Sequence, residues 1–179
     1  MKKFRLIATS VAFGLVLAIM AFGVYAAVTP AFTISNQILF NPSSEATYFS
    51  ASITTYSKAT AADEFEELDA VQTVSNADSA DGSLEQNKPV TISNFNFNNN
   101  VAYKITIAIT NNTDKEMTVA ISDVAQHDAI EVSEASAKPY DSYTIEAGLS
   151  ATVELVYEIV DYTEVINLSQ ALKVALSVA

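Results

Sequence analysis

Val101, Tyr103, Ile105, Ile107 and Ile109 alternate without a break with Ala102, Lys104, Thr106, Ala108 and Thr110. A period of two sends the sets to opposite faces of an extended chain, so the segment must lay one face on a core and turn the other to water. The same rhythm recurs. Phe32, Ile34, Ile38 and Phe40 oppose Thr33, Ser35 and Gln37; Ala151, Val153, Leu155, Tyr157 and Ile159 oppose Thr152, Glu154, Val156 and Glu158; Leu172, Val174, Leu176 and Val178 close the series. Ala46 to Ser57 is rich in Thr, Tyr, Phe and Ile and reads as a further strand, as do Pro89 to Phe97 and the short runs Ala129 to Val132 and Ser142 to Ile145 around Lys138-Pro139. Each such sheet has one apolar face to cover. Eight or nine strands therefore predict an all-β, antiparallel two-sheet sandwich, Ig-like or jelly-roll-like.

Turns follow from small polar residues, since only Gly82 and Gly148 remain after residue 26. Asn41-Pro42-Ser43-Ser44 ends the first strand, and Asn98-Asn99-Asn100 precedes the most regular one. Asn111-Asn112-Thr113-Asp114 leads into Met117, Val119 and Ile121, which predicts an antiparallel hairpin between these two runs. Between residues 58 and 88 the period breaks. Asp63 and Glu66 resemble a capping box, and Phe65, Leu68 and Val71 would share a helical face, so one short helical insertion is expected. Ser75 to Ser83 reads as a polar loop.

The start of the chain has a different character. Lys2, Lys3 and Arg5 precede a run from Leu6 to Val28 without any charge, an apolar N-terminal helix with the layout of an export signal. Val24 and Ala26 place small side chains where a signal peptidase inspects them, so cleavage between Ala26 and Ala27 is expected; a retained membrane-spanning helix is the alternative, since the run just reaches the required length. Both send the rest of the chain outward. Residues 1–26 are the only expected membrane contact, leaving 27–179 as a single domain.

Removing 26 of 179 residues leaves 153, enough for a core of ordinary size. That part holds 6 basic and 21 acidic residues, a net 6 minus 21, or −15. Such a field repels phosphate backbones and anionic headgroups, so nucleic acid is excluded as a partner. Cysteine is absent. An exported domain without disulfides fits a secreted or outer-surface bacterial protein better than an animal one. Asn111-Asn112-Thr113 and Asn167-Leu168-Ser169 match the glycosylation tripeptide by chance in that setting.

Motifs for catalysis are missing. His127 is the single histidine, which rules out a two-histidine zinc helix and leaves a serine triad with one candidate base. Neither a nucleophile elbow nor a glycine-rich phosphate loop occurs, and His127 beside Asp128 reads as a loop residue. Asp78-Ser79-Ala80-Asp81-Gly82 fails the EF-hand register, leaving an irregular calcium site at Asp78, Asp81 and Glu85, or in the Asp63 to Asp69 cluster, as a weaker reading than solvated acidic surface. No cofactor, metal or catalytic site is expected.

Phe22-Gly23-Val24-Tyr25-Ala26-Ala27 followed by Ala31-Phe32-Thr33-Ile34-Ser35 resembles the start of the TasA and camelysin family of exported bacterial proteins. Tyr103 to Asn112 with its Asn-Asn-Thr-Asp ending, and Glu146-Ala147-Gly148-Leu149-Ser150 opening a strand, are similar to that family's sandwich. The resemblance implies a dedicated signal peptidase as partner. It also implies assembly into extracellular matrix fibres, each subunit passing its N-terminal strand into the next. Here the donor would be Ala27 to Phe40, with Phe32, Ile34, Ile38 and Phe40 as plugs; otherwise that strand packs within its own domain. Camelysin is described as a metalloprotease, an activity that a single histidine does not fit. The expected function is thus an exported, non-enzymatic surface or biofilm-matrix structural protein, with a monomeric adhesion or ligand-binding module as the alternative.

Overall fold

A computed structural model describes residues 30–43, 48–75, 89–134 and 142–178. The apolar segment with Val24, Ala26 and Ala27, the donor residues 27–29, and the acidic loop with Asp78, Asp81 and Glu85 lie outside the described residues. The strands in chain order are β1 (Ala31–Pro42), β2 (Phe49–Lys58), β3 (Glu66–Glu67), β4 (Gln72–Ser75), β5 (Val90–Asn96), β6 (Ala102–Asn111), β7 (Met117–Ser122), β8 (Ile130–Glu134), β9 (Tyr143–Ile145), β10 (Ser150–Ile159) and β11 (Val165–Val178). They form two sheets and an all-β fold. One sheet has the order β5-β1-β11-β7-β9; the other runs β3-β2-β6-β10-β8, with β4 also paired to β2.

Alternation does what the sequence demands of it. In β6, Tyr103, Ile105, Ile107 and Ile109 are buried while Lys104, Thr106, Ala108 and Thr110 are half-buried on the other face. Facing them from the first sheet are Phe32, Ile34, Ile38, Met117, Val119, Leu172 and Val174, all fully buried in one continuous core. At about 25 cal/mol per Å² of apolar surface, this two-faced burial is the main stabilising force.

Four expectations need correcting. The predicted hairpin between β6 and β7 does not form: β6 pairs with β2 on one side and β10 on the other, while β7 joins β11 and β9 in the opposite sheet. Met117, Val119 and Ile121 thus face the β6 side chains across the core rather than lying beside them. Alternation is the same for a hairpin and for an arch between sheets, so it could not separate the two. The arch is fixed by Asn111, whose Nδ2 donates to Lys115 O (2.8 Å) and Ile145 O (2.9 Å) and whose Oδ1 accepts from Thr113 N (2.9 Å). Fully buried, Asn111 presents no glycosylation site.

The helical insertion is also absent; the described residues contain no helix. Asp63 bonds backward, Oδ2 accepting from Thr60 N at 2.8 Å, so no forward capping box is made. Leu68 and Val71 are exposed, and Phe65 lies near Lys58 and Lys104. Three apolar residues cannot hold a helix against the open edge of β2, which instead pairs with β3 and β4.

Finally, the sandwich is only mostly antiparallel. β1 and β11 run parallel along their length, from Ala31 opposite Val165 to Pro42 opposite Leu176. Ser43 N extends this ladder to Leu176 O at 2.7 Å, so β1 runs on through Asn41-Pro42 where a turn was expected.

Candidate functional site

The four expected plugs all lie on β1, between the edge strand β5 and the central strand β11 of the first sheet. Within the single chain they fill its own core. Phe32 packs against Phe97 (5.2 Å between ring centres), His127 (5.7 Å) and Tyr162 (5.9 Å), and Phe40 stacks on Phe49 (5.6 Å). Asn98 clamps the start of the strand, its Oδ1 accepting from Phe32 N (3.3 Å) and Tyr162 OH (3.1 Å). The opposite face, with Ser35 and Gln37, meets solvent.

Asn36 is a fifth inward residue of β1. It lies midway among the plugs and is 2 % exposed. The sequence signal was there: in a strict period of two, the even position between Ile34 and Ile38 must also face inward, whatever its polarity. Gln170 on β11 stands directly opposite and is equally buried. Asn36 Oδ1 accepts from Gln170 Nε2 at 3.2 Å, and Gln170 Oε1 accepts from Tyr157 OH (2.9 Å) on the other sheet and from Ala125 N (2.7 Å). Buried amides survive in a core only when satisfied in this way.

The other edge of β1 explains why Asn36 is needed. Ile34 pairs with Phe95 but Asn36 pairs with Ile92, so β5 carries one extra residue there, a bulge. A bulge leaves backbone groups without ladder partners. Ser93 supplies them to side chains: its carbonyl accepts from Asn36 Nδ2 (3.1 Å), while its N–H and hydroxyl donate to Asp69 (3.1 and 2.8 Å). Asp69 also accepts from Thr55 Oγ1 on β2 at 3.0 Å, so this carboxylate ties the two sheets together across their open side. Burial, the largest single influence, pushes its pKa up, but the bonds from Ser93 and Thr55 together outweigh it and hold the carboxyl below its ordinary value.

Other sequence candidates are dispersed. His127 packs at a tilt against Phe32, and its Nδ1 accepts from Ala129 N at 3.1 Å, which makes it a packing and turn residue. In the Asp63 to Asp69 cluster, Asp63 caps its turn and Asp69 is committed to Ser93 and Thr55. No group of three or more His, Asp or Glu side chains placed to hold a metal ion occurs among the described residues. On the outer face of the second sheet, Lys104 Nζ sits over Tyr56 (4.5 Å) and Phe65 (5.3 Å) and pairs with Glu154 at 3.4 Å. At one end of the sandwich an open cleft of about 450 Å³ is lined by Tyr48, Asn112, Thr113, Asp114, Lys115 and Val178. No protein-family model and no curated protein matches the sequence.

Proposed function

We propose that this chain is an exported, non-enzymatic structural protein of the bacterial surface or extracellular matrix, whose subunits join when one copy's β1 occupies the slot between β5 and β11 of the next. One observation carries the reading. An interior position of a sheet, one strand in from its β5 edge, is filled by the first described strand, which reaches β2 through residues 43–48 alone. Strand addition uses such a slot: backbone ladders on both sides give affinity, and alternate side chains entering the core give fit. A strand from a second copy would make the same bonds as the chain's own. The TasA-like features of the sequence agree with this use.

The test exploits the absence of cysteine. Gln37→Cys chains mixed with Ala171→Cys chains should form disulfide-linked pairs in excess over the same chains mixed with Lys173→Cys if β1 of one enters the other, since residues 37 and 171 are register partners. Linked pairs that increase with protein concentration are expected, and with salt, because copies of so acidic a chain repel one another. Mixed chains that stay unlinked at every concentration and ionic strength would remove strand exchange. The second reading, a monomeric surface-binding module, draws on the cleft beside Tyr48, where an exposed ring adjoins an amide, a carboxylate and an ammonium group. Retention on a glycan array that Tyr48→Ala abolishes would favour it.

A further inference from the structure

The inward face of β1 reads Phe32, Ile34, Asn36, Ile38, Phe40 and Pro42, one amide among apolar groups. The facing row of β11 is Ile166, Leu168, Gln170, Leu172, Val174 and Leu176. Sliding β1 by one residue turns every apolar side chain outward, so that error excludes itself. Sliding it by two keeps large aliphatic and aromatic groups facing aliphatic ones along nearly the whole strand. Apolar packing alone therefore chooses poorly among registers two residues apart. What differs is position 36: after such a slip Asn36 would face Leu168 or Leu172, Gln170 would face Ile34 or Ile38, and the freed carbonyl of Ser93 would lose its donor.

From this we infer that Asn36 and Gln170 are the specificity-determining pair of the β1 slot. They fix the strand's register and restrict the slot to strands that carry a carboxamide at the centre of a Phe-x-Ile-x-Asn-x-Ile-x-Phe pattern. The reader is spread over four places: Gln170 on β11, its orientation set by Tyr157 and Ala125, and the bulge at Ser93 on β5. A single buried amide fixing pairing among otherwise interchangeable apolar positions is a known device where helices pair. Here it acts at both seams of one strand. The partner it fits is β1 of this chain or of a second copy. An aliphatic strand of the same shape would leave the buried Gln170 N–H and the half-buried Ser93 carbonyl without these partners, and the slot would refuse it.

The register part holds within one chain; the choice between copies rests on the strand-exchange reading above. Cysteine pairs in the full chain separate the two. With the native amides, Gln37→Cys should oxidise with Ala171→Cys and not with Ser169→Cys or Lys173→Cys, since partners two residues out of register lie beyond the reach of a disulfide. In the Asn36→Leu/Gln170→Leu background the slipped pairs should rise from none to a yield comparable with the in-register pair. A folded double variant that still links only 37 to 171 overturns the inference. If that variant does not fold, the composition-neutral Asn36→Ile/Ile38→Asn chain decides. Its amide sits two residues later, so linkage should move from position 171 to position 169; linkage that stays at 171 overturns the inference. Between copies, chains mixed as before should lose intermolecular linkage when only the donor carries Asn36→Leu. Undiminished linkage overturns the selection between copies, and no linkage with either donor removes strand exchange while leaving the register result standing.

Discussion

The two sheets of this sandwich solve one problem with different materials. The second sheet is built around β6, whose neighbours β2 and β10 pair with it antiparallel along its whole length, and Ile105, Ile107 and Ile109 form its dry inner row. Inside the first sheet, β1 and β11 run parallel despite standing more than a hundred residues apart, and place two carboxamides in the core. The lesson concerns the division of labour. An apolar row supplies stability with little preference among registers, whereas a buried polar pair gives up some stability for a single correct alignment. The sheet that joins strands far apart in sequence carries the amide pair within its inner row, whereas the buried amide of the second sheet, Asn111, stands at the end of β6 and fixes a turn.

Breaking the apolar part should produce the largest effects. Phe32→Ala removes a fully buried ring in contact with Phe97, His127 and Tyr162, and should lower the unfolding free energy by about 3–5 kcal/mol in a urea titration. Ile107→Ala, at the matching depth of the second sheet, should cost about 2–5 kcal/mol. If Phe32→Ala were silent, β1 would not be part of the core at all. Asn36→Leu alone should rank next, at about 1–3 kcal/mol, because the Gln170 N–H is then buried without this partner and the half-buried Ser93 carbonyl loses its donor. Restoration of much of that loss by adding Gln170→Leu, read as a double-mutant cycle, would place the energy in the pair and not in either residue.

Smaller effects probe how the sheets are joined. Asp69 has its pKa depressed in the folded chain, so its contribution is complete above the ordinary carboxyl value, near 3.8, and is lost as pH falls through the lower folded value. Urea midpoints should therefore decline in acid more steeply for the wild type than for Asp69→Asn; parallel declines would show that the carboxylate does not tie the sheets. Tyr143 on β9 has a buried hydroxyl without a hydrogen-bond partner among the described residues, and burial pushes its pKa well above the ordinary 10.0. A raised pKa means stability that is full below the ordinary value and lost as pH rises beyond it. Tyr143→Phe should gain up to about 1 kcal/mol at neutral pH and lessen the decline in alkali. Lys104→Ala, confined to the outer face, should cost about 0.5–1 kcal/mol through lost contact with Tyr56 and Phe65.

Strands were legible because period two is a local property. The runs through Ile105, Leu155 and Val174 each carry their inside and outside in a few consecutive residues. Which strand lies beside which was much less legible. Asn111-Asn112-Thr113-Asp114 looks like a hairpin turn, yet the carbonyl that helps fix its arch, Ile145 O, comes from a distant part of the chain. The segment Asp63 to Val71 carries weak helical spacing, and the deciding factor was the unpaired edge of β2, which no local window contains. The slot itself was half legible. Phe32, Ile34, Ile38 and Phe40 could be read as one face, but Asn36 gains meaning only beside Gln170 and the bulge at Ser93, which alternation does not bring together.

The parallel run of β1 with β11 has a mechanical consequence. Tension applied between Ala31 and Val178 would pull neighbouring strands lengthwise in opposite directions, loading the ladder from Ala31–Val165 to Pro42–Leu176 in shear. Bonds loaded in this way share the force and must yield together, whereas a hairpin pulled at its open end unzips one bond at a time. A chain held at one end and dragged at the other would meet that force at the seam where Asn36 grips Gln170.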